Sequence, residues 1–367
     1  MKFSIARDTF LNGLQLVAGV VERRQTLPVL SNALFVLDDS GLSITGTDLE
    51  VEVVSKIQPQ SVEQTGTITI PARKLFDIVR SLSDDAQIEV STEDDRAVIK
   101  SGRSRFTLST LPASEFPNVE EGVQSCQFDI AQGQLKSLID KVSFSMAQQD
   151  VRYYLNGMLF EVSPEHLRLV ATDGHRLAMT TLDTTNLSPD SLQAILPRKG
   201  VLELSRMLSD GDEEVSLGLG SNHVCVTAPG YKFTSKLVDG KFPDYERVLP
   251  RNAEKIIESS REGLKQSFSR AAILSNEKYR GVRMQLEQGL IRITANNPEQ
   301  EQAEEEVAVN YDGEPLEIGF NVSYMIEALA TLKSDDVQIS LADPNSSALM
   351  QAKGDGSTLY VIMPMRL

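Results

Sequence analysis

The chain repeats the same two sequence markers three times, at a spacing of about 125 residues. The first marker is a pair of polar residues directly after a strand-like run, at Thr47-Asp48, Thr172-Asp173 and Asn296-Asn297. The second marker opens a helical stretch that is followed by an acidic turn and a strand, and it begins at Pro71, Pro197 and Phe320. A fixed period means that one structural unit is copied along the chain. The 367 residues therefore predict three similar domains, at 1–124, 125–250 and 251–367.

Each repeat is expected to contain two helices packed on antiparallel strands, which makes the fold class α+β. In the first repeat Phe10, Leu14, Val17 and Val21 fall on one face of a helix that ends by about residue 24. Pro71 opens the second helix, and alternating apolar residues predict strands around it. The later helices are expected near 131–147, 198–208, 261–274 and 322–332.

Composition narrows the class of protein. No stretch approaches the ~18 consecutive apolar residues of a membrane span, and the N-terminus has no signal-peptide core. The expectation is a cytoplasmic protein without a membrane association. Cys126 and Cys225 lack the spacing of metal ligands, so no metal, cofactor or disulfide is expected.

The net charge of the chain and the local charge of its helices support opposite interpretations. A net charge of −16 argues against a protein that binds nucleic acid tightly, because affinity for phosphates comes from clustered Lys and Arg. The candidate helices, however, carry a basic bias at matched repeat positions: Arg73, Lys74 and Arg80; Arg198, Lys199 and Arg206; Arg261, Lys265 and Arg270. These residues either form the solvated faces of ordinary helices or together line one positive surface. Their recurrence favours the positive surface.

An enzyme is the first rival interpretation. Asp173 and His175 suggest a catalytic pair or a metal site, but no nucleophile motif is nearby and the chain has no phosphate-binding Gly-Lys-Ser/Thr loop. The matching positions in the other repeats hold different chemistry. We therefore expect a non-catalytic protein.

Five longer stretches carry a resemblance to a known family, and they lie at 27–32, 149–157, 171–177, 233–245 and 360–367. Together they resemble the bacterial sliding clamp, the beta subunit of DNA polymerase III, and the likeness runs end to end. The resemblance implies a head-to-tail homodimer that closes a six-domain ring around double-stranded DNA without reading its sequence. It also implies that the ring tethers the replicative polymerase for processive synthesis. Expected partners are the polymerase alpha subunit, the clamp loader and other clamp-binding-motif proteins.

The resemblance also implies three sets of site residues. The DNA contacts would be Arg24, Arg73, Gln149, Tyr153 and Tyr154. The partner-peptide pocket would be formed by Leu155, Thr172, Gly174, His175, Arg176, Leu177, Pro243, Arg247, Val248, Val361, Met363, Pro364, Met365, Arg366 and Leu367. The dimer interface would join Lys74, Arg103, Arg105, Phe106 and Leu108 of one chain to Ile273, Leu274, Glu299, Glu301 and Glu305 of the other.

Some alternatives stay open at this point. Tyr153 and Tyr154 stack on bases near a primer end or pack within a strand. Val361, Ile362 and Met363 form a last buried strand, a pocket wall, or both, because alternate strand residues face opposite sides. A monomeric scaffold that binds partner proteins but never encircles DNA is the second rival interpretation. A flexible Met-rich C-terminus suits a pocket that receives varied peptides.

Overall fold

The computed structural model describes residues 1–21, 27–117, 122, 124–184, 187, 191–250 and 253–366. The helices in these ranges are α1 Arg7–Ala18, α2 Ala72–Ser81, α3 Gln132–Val142, α4 Arg198–Met207, α5 Arg261–Ala271 and α6 Val322–Thr331. Each predicted repeat contains two of them. None of the helices in the described part of the chain is long and apolar enough to cross a membrane.

The strands pair antiparallel throughout the four sheets. The first repeat contributes β1 Lys2–Ala6, β2 Asn32–Asp38, β3 Gly41–Thr47, β4 Val51–Ile57, β5 Ser61–Gln64, β6 Gly66–Pro71, β7 Gln87–Glu93, β8 Arg96–Ser101 and β9 Ser104–Ser109. The second contributes β10 Gln124–Ala131, β11 Gly157–Val162, β12 His166–Thr172, β13 Arg176–Asp183, β14 Leu192–Pro197, β15 Glu214–Gly220, β16 His223–Ala228 and β17 Tyr231–Lys236. The third contributes β18 Lys255–Ser260, β19 Gly281–Glu287, β20 Leu290–Asn296, β21 Gln302–Ala308, β22 Leu316–Asn321, β23 Asp336–Leu341, β24 Ala348–Ala352 and β25 Thr358–Ile362.

The chain divides into two compact units, each with two sheets. Unit 1 comprises Met1–Leu135 and Leu202–Leu237, with sheets ordered β5-β1-β7-β8-β9 and β10-β15-β16-β17-β4-β3-β2-β6. Unit 2 comprises Lys136–Val201 and Val238–Leu367, with sheets ordered β14-β11-β12-β13-β25-β24-β23-β18 and β21-β20-β19-β22. The units follow these continuous sheets, so the three domain boundaries predicted from the repeat stay a prediction.

Each eight-stranded sheet takes four strands from one repeat and four from the next. The repeats join where β4 pairs with β17 and where β13 pairs with β25. We call these two pairings the seams. The β9 edge of the five-stranded sheet and the β21 edge of the four-stranded sheet have no strand beside them in the described structure. The same kind of half-sheet is thus paired at two places and open at two others.

A polar turn explains the first sequence marker. The Thr47 hydroxyl donates to the Val51 carbonyl, and the Asp48 carboxylate accepts from the backbone of the next hairpin strand. Thr172 and Asp173 repeat both contacts, with Thr172 Oγ1 donating to the Arg176 carbonyl at 2.6 Å. Such side chains replace backbone partners in tight turns. The marker is therefore a hairpin connection that the fold uses again.

The acidic turn of the second marker is hydrogen-bonded to the first helix of the same repeat. The first residue of each first helix donates its backbone N–H to the turn after the second helix, in the pairs Arg7–Ala86, Gln132–Glu213 and Arg261–Asp335, each at 2.9 Å. The Arg7 and Arg261 guanidinium groups also bind the last carbonyls of α2 and α6. Cations at helix C-termini satisfy carbonyls that lack a helical partner.

The helices bury their apolar faces on the sheets. Phe10 of α1 is fully buried between Phe3 and Phe35, with edge-to-face ring contacts at 6.2 and 6.4 Å. Truncating such a residue costs about 3–5 kcal/mol. The predicted amphipathic face of the first helix therefore forms a core.

Several predicted helix ends differ from the structure. α1 ends at Ala18, within the predicted limit of about residue 24, but α3 and α5 end at Val142 and Ala271, short of the predicted residues 147 and 274. Single 3₁₀ turns, Ser143–Ser145 and Ala272–Leu274, then follow α3 and α5. Helices commonly tighten in this way at their ends, and hydrophobic periodicity alone does not separate the two kinds of turn.

Candidate functional site

A cavity of about 150 Å³ lies in unit 2, beside the β13–β25 seam. It is lined by Arg152, Tyr154, Leu155, Thr172, Gly174, Arg176, Leu177, Pro243, Asp244, Tyr245, Val248, Val361 and Met363. Nine of these residues belong to the predicted partner-peptide pocket. Residues that are far apart in the sequence therefore meet in one concave surface.

The apolar floor of the cavity comes from the seam itself. Leu177 on β13 and Val361 on β25 lie directly opposite each other and belong to a buried cluster with Phe242 and Tyr245. Tyr154 and Val248 pack against the same cluster. Burying apolar area yields about 25 cal/mol per Å², so this floor suits an apolar side chain of a ligand.

Arg152 forms one side of the cavity mouth. Its guanidinium makes a two-pronged contact with the Asp150 carboxylate, at 3.0 and 2.9 Å, and donates to the Asp173 carbonyl at 3.2 Å. Hydrogen bonds from the Arg152 side chain and backbone lower the pKa of Asp150 to about 2. Gly174, at φ +88°, leaves the space for this group, because a Cβ there would lie 2.9 Å from the guanidinium. Sequence reasoning missed Arg152 as a pocket residue, although the 149–157 stretch contains it.

Arg176 braces the neighbouring wall. Its guanidinium lies between the rings of Phe144 and Tyr324, at 5.2 and 4.5 Å from their centroids, and donates to the Phe144 carbonyl. It also forms ion pairs with Asp173 and with Glu327 of α6. The charge of Arg176 is thus neutralised within the protein. Arg176 lines the cavity, and these contacts indicate that it supports the cavity wall.

A polar network holds Tyr245 from behind. The Tyr245 hydroxyl donates to Glu161 and accepts from Arg168, both at 2.9 Å, while Gln193 and His166 also contact Glu161. Burial opposes the charged form of Glu161, but the hydrogen bonds from Gln193, Tyr245 and His166 outweigh it and lower the pKa of the carboxyl. Burial, with the Glu161 contact, raises the pKa of Tyr245 to about 12. The network orients an aromatic wall of the cavity.

The C-terminal segment crosses from the cavity to a second sheet. Met363 lines the cavity and donates its N–H to the His175 carbonyl at 3.0 Å, and Met365 donates to the Gly319 carbonyl at 2.8 Å. Among the other predicted pocket residues in this region, Pro364, Met365 and Arg366 do not line the cavity. Leu367 lies outside the described residues.

Two more predicted pocket residues stand beside the cavity. His175 is exposed and lines a separate depression with Phe144, Tyr324 and Glu327. Arg247 has a side chain that is 81% exposed and pairs with Asp244 at 2.7 Å. Neither residue contributes to the apolar floor.

The predicted DNA contacts are placed unevenly. Arg24 lies outside the described residues, and Arg73 in unit 1 donates through Nε to the Val21 carbonyl. In unit 2, Gln149 is exposed in a left-handed conformation at φ +56°, and Tyr153 is exposed beside it. Tyr154 lines the cavity. The strand alternative for the tyrosine pair is wrong, because Tyr153–Leu155 forms a single 3₁₀ turn.

Several basic residues proposed to line a positive surface are engaged within the protein instead. Arg206 binds Glu203 and the carbonyls of Gln15 and Leu16. Arg261 binds carbonyls after and within α6, and Arg270 binds Glu305. A charge count cannot reveal this, because helix-end carbonyls attract cations as carboxylates do. The charges of these three arginines are thus partly satisfied within the protein, and the positive surface stays a prediction.

Some of the predicted dimer residues lie at the two open edges, and the others lie on α2 and on the 3₁₀ turn after α5. In unit 1, Arg103 and Arg105 are exposed at β9, Phe106 and Leu108 are half-buried, and Lys74 is exposed on α2. In unit 2, Ile273 is 76% exposed. The other predicted residues of unit 2 are the half-buried Leu274, the exposed Glu299 and Glu301, and Glu305, which already pairs with Arg270.

The rejected catalytic pair is part of a turn. Asp173 Oδ1 accepts from the backbone N–H groups of His175 and Arg176, at 2.9 and 3.0 Å. Asp48 accepts from the two matching N–H groups in the first repeat. Across the described ranges no group of three His, Cys, Asp or Glu residues is arranged to hold a metal ion.

Models of one protein family match almost the whole chain in three consecutive parts. The DNA polymerase III beta subunit N-terminal domain matches residues 1–120, the central domain 129–244 and the C-terminal domain 246–366. The beta sliding clamp of Pseudomonas aeruginosa is 58% identical over 367 residues, and that of Escherichia coli strain K12 is 50% identical, with 100% of each chain covered.

A solved structure is similar to the same extent. The crystal structure of the DNA polymerase III subunit beta from Pseudomonas aeruginosa superposes with a TM-score of 0.98 at 58% identity, covering 100% of both chains. The sequence likeness and the fold likeness thus extend over the same residues. The chain belongs to the DNA polymerase III beta subunit family, the bacterial beta sliding clamps.

Proposed function

We propose that two copies of this chain join head to tail into a closed ring that encircles duplex DNA, and that the cavity on unit 2 holds the polymerase and other partners by a peptide. A sliding clamp is a non-catalytic processivity subunit of the replicative polymerase, and the chain is a member of that class. The single observation that carries the proposal is the pair of open edges, β9 and β21, which are the repeat equivalents of strands that pair in the seams.

The first step is the equivalence of β9 with β17 and β25. In each repeat, a row of four directly paired residues crosses four neighbouring strands. The row begins at the residue four positions before the first helix of that repeat, and it ends at Phe106, Phe233 or Tyr360. Phe233 lies opposite Val53 on β4, and Tyr360 lies opposite Ala178 on β13. Phe106 has the same position on β9, an edge with no strand beside it in the described part of the chain.

The second step supplies the missing partner. β21 follows the third copy of the turn marker, Asn296-Asn297, as β4 and β13 follow the two Thr-Asp turns. The strand pairs Thr47–Glu52, Thr172–Leu177 and Asn296–Gln302 show that Glu52, Leu177 and Gln302 occupy equivalent positions on these three strands. Ala303 is then the match of Val53 and Ala178. Phe106 of one copy would lie opposite Ala303 of the next.

This register aligns opposite charges along the edges. Counting from Phe106 and Ala303, Arg105 falls opposite Glu304 and Arg103 opposite Glu306 on the neighbouring copy. Thr107 falls opposite Gln302. Opposite charges on facing strands stabilise a sheet pairing by about 0.2–1 kcal/mol each, and like charges oppose it. A head-to-tail contact of this kind closes into a ring when its rotation permits.

Disulfide crosslinking tests both the register and the closure. A Thr107→Cys, Gln302→Cys chain should crosslink under mild oxidation into a covalent dimer, seen on a non-reducing gel. A ladder of longer species would mean an open filament, and a monomer would contradict the pairing. Thr107→Cys with Glu304→Cys, displaced by two residues, is the matched control and should crosslink far more slowly. The native Cys126 and Cys225 are buried and should not interfere.

Encirclement of DNA needs a topological test. After loading with cell extract and ATP, the protein should stay on circular duplex DNA and be lost from the same DNA once it is linearised. Equal retention on both would indicate ordinary electrostatic binding and favour the scaffold alternative. Arg73→Ala with Gln149→Ala should weaken direct DNA association in low salt while the dimer and peptide binding persist, because phosphate contacts are sensitive to salt.

The cavity supports the peptide part of the proposal. It is apolar at its floor, is bordered by Arg152 at its mouth, and includes the adaptable Met363. A fluorescent peptide from the polymerase alpha subunit should bind the full chain, and Val248→Asp should weaken it at least tenfold by placing a charge on the floor. Ile256→Asp, a change on an exposed residue of β18, is the control and should leave the affinity unchanged. Equal affinities for the two variants would place the peptide elsewhere.

A further inference from the structure

One wall of the cavity on unit 2 is formed by a segment that is neither a strand nor a long helix. Residues 243–248, which we call the wall segment, contain the single 3₁₀ turn Tyr245–Val248. The cavity lining takes from this segment Pro243, Asp244, Tyr245 and Val248. The position of the wall segment therefore decides the shape of a large part of the cavity.

The backbone of the wall segment has no hydrogen bond to the backbone of any other part of the described chain. The last such bond before it runs from the Val238 N–H to the Ile195 carbonyl at 2.8 Å, and the next strand, β18, begins at Lys255. The Leu155 side of the cavity is tied differently, because the Leu155 carbonyl accepts from the Ala147 N–H at 3.0 Å. Side chains must therefore hold the wall segment in place.

Tyr245 is the side chain that joins the wall segment to the sheet. Its ring is 6% exposed and belongs to the buried cluster with Leu177 and Val361. Such apolar packing has no preferred direction. The Tyr245 hydroxyl supplies the direction, because it donates to Glu161 and accepts from Arg168, both at 2.9 Å, and hydrogen bonds restrict both distance and angle.

Glu161 and Arg168 are themselves fixed in the sheet. They lie directly opposite each other on β11 and β12, and Arg168 Nε donates to Thr181 Oγ1 on β13 at 3.0 Å. Gln193 on β14 donates to Glu161 at 2.6 Å. Arg168 also lies 3.9 Å from Glu246, a second residue of the wall segment. Four paired strands thus support the contact with the wall segment.

The facing acid and arginine occur only in the repeat that carries the cavity. Four residues before the turn markers of the first, second and third repeats stand Ser43, Arg168 and Arg292. The residues that face them on the preceding strand are Val36, Glu161 and Gln285. The first repeat has no charge in this pair, and the third has no acid. The combination is therefore a property of the cavity repeat and not of the repeating unit.

We propose that Glu161 and Arg168 are positioning residues for the peptide site. Through the Tyr245 hydroxyl they hold the wall segment beside the apolar floor, so that the cavity has its binding shape before a peptide arrives. Without this contact the wall segment leaves that position for part of the time. The apparent Kd of a site rises as the fraction of molecules in the binding shape falls. The proposal rests on the proposed peptide function of the cavity and adds what maintains its shape.

Tyr245→Phe tests the proposal in the full chain, because it removes the hydroxyl and keeps the ring. The Kd for a fluorescent peptide from the polymerase alpha subunit should rise about tenfold, since a hydrogen bond to a charged group contributes on this scale. Glu161→Ala should raise the Kd in the same direction. Gln285→Ala is the matched control, because it truncates the equivalent residue of the third repeat, and it should leave the peptide Kd unchanged.

A tryptophan on the wall segment separates positioning from direct contact with the peptide. The chain contains no tryptophan, so Arg247→Trp, at a side chain that is 81% exposed, reports on the wall segment alone. In this background Tyr245→Phe should give the indole a faster motion of larger amplitude in time-resolved fluorescence anisotropy, and saturating peptide should reverse it. A weaker affinity with unchanged anisotropy would mean that the hydroxyl contacts the peptide directly, which would overturn the positioning role.

A double-mutant cycle gives the remaining test. Glu161→Gln and Tyr245→Phe remove the same contact, so their effects on the peptide Kd should be less than additive. Additive effects, or an unchanged Kd for Tyr245→Phe, would overturn the positioning role while the peptide site itself stands. A wild-type chain that binds no polymerase peptide would overturn the peptide site and this role together.

Discussion

The two seams and the two open edges differ in charge although they occupy equivalent places in the repeat. The β4–β17 seam sets Val53 against Phe233, and the β13–β25 seam sets Ala178 against Tyr360, all of them buried or nearly so. The open edges instead carry Arg105 on β9, Arg103 just before it, and a run of glutamates on β21. At the position of Arg105 the first seam sets Lys232 against Val54, and the second sets Leu359 against Met179, so neither seam places opposite charges face to face there.

This difference follows from when each pairing forms. A seam forms as one chain folds, so apolar residues on its strands are covered and do not promote pairing with other chains. An exposed edge presents unpaired N–H and C=O groups to any other strand, and charged side chains protect it from wrong partners. In the proposed ring, the opposite charges of β9 and β21 favour the pairing of these two edges over other pairings.

The seams also differ from each other. Leu177 and Val361 form the floor of the cavity on the β13–β25 seam. Their equivalents are Glu52 and Thr234 on the β4–β17 seam, and Gln302 and Thr107 at the open edges. The apolar floor therefore arises at one of the three repeat positions, where both facing residues are apolar.

The largest contrast between a seam and an open edge should appear in unfolding. Phe233→Ala should lower the free energy of unfolding by about 3–5 kcal/mol, because it opens a cavity in a fully buried seam. Phe106→Ala, at the equivalent edge position, should change unfolding of the dilute chain far less and act on the dimer instead. Denaturant titration at low concentration measures both, and equal losses would contradict the distinction.

Charge reversal should come next in size. Arg103→Glu with Arg105→Glu should make the chain monomeric at micromolar concentration, because both contacts of the ring then face like charges. Glu304→Lys with Glu306→Lys should do the same.

Mixing those two variants provides the control for charge reversal. In the mixed dimer one contact joins the two reversed edges and the other joins two native edges, so dimers should reappear in light scattering. If the mixture stays monomeric, charge complementarity does not set the pairing.

A smaller effect is expected from making the cavity floor resemble the other seam. Leu177→Glu gives β13 the acid that β4 carries at Glu52, and it should weaken peptide binding by at least tenfold with little change in the dimer Kd. Isothermal titration with a polymerase peptide measures the loss. Peptide binding that survives Leu177→Glu would show that the apolar floor is not what the ligand contacts.

The smallest effect concerns the network behind Tyr245 and depends on pH. The folded state lowers the pKa of Glu161, so its stabilisation is present above the unfolded value near 4.5 and is lost as pH falls through the folded value. Glu161→Gln should therefore lower the free energy of unfolding at pH 7 by about 1–2 kcal/mol, which is the size expected for a lost buried hydrogen bond. The gap from wild type should narrow below pH 4 in thermal unfolding, and a gap independent of pH would mean that the charge of Glu161 is not involved.

The sequence alone identified more of the fold than of the contacts. The repeat markers predicted the six helices and most strands, because a turn such as Thr172-Asp173 is a local structure that its own residues specify. The ends of α3 and α5 were less accurate, since helices and 3₁₀ turns share the same apolar spacing. The short β5 was not predicted, because all four of its residues are exposed and carry no alternation.

The candidate sites depended on information of two kinds. Resemblance to the family named nine residues that the fold brings to the cavity, but not Arg152, Asp244 or Tyr245. It also assigned Arg176 to the pocket without showing that this arginine braces Phe144 and Tyr324. Charge counting overestimated the free positive surface, because it cannot distinguish Arg206 at a helix end from a cation in solvent.

What the sequence determined by itself was the repeating unit, because turns, helix starts and apolar alternation act over a few neighbouring residues. Only the tertiary structure decided which equivalent positions became a seam, a cavity or an open edge. Leu177 and Val361 are 184 residues apart in the sequence, and they meet only because β13 pairs with β25. Such long-range pairing depends on the burial of whole sheets, which no local pattern encodes.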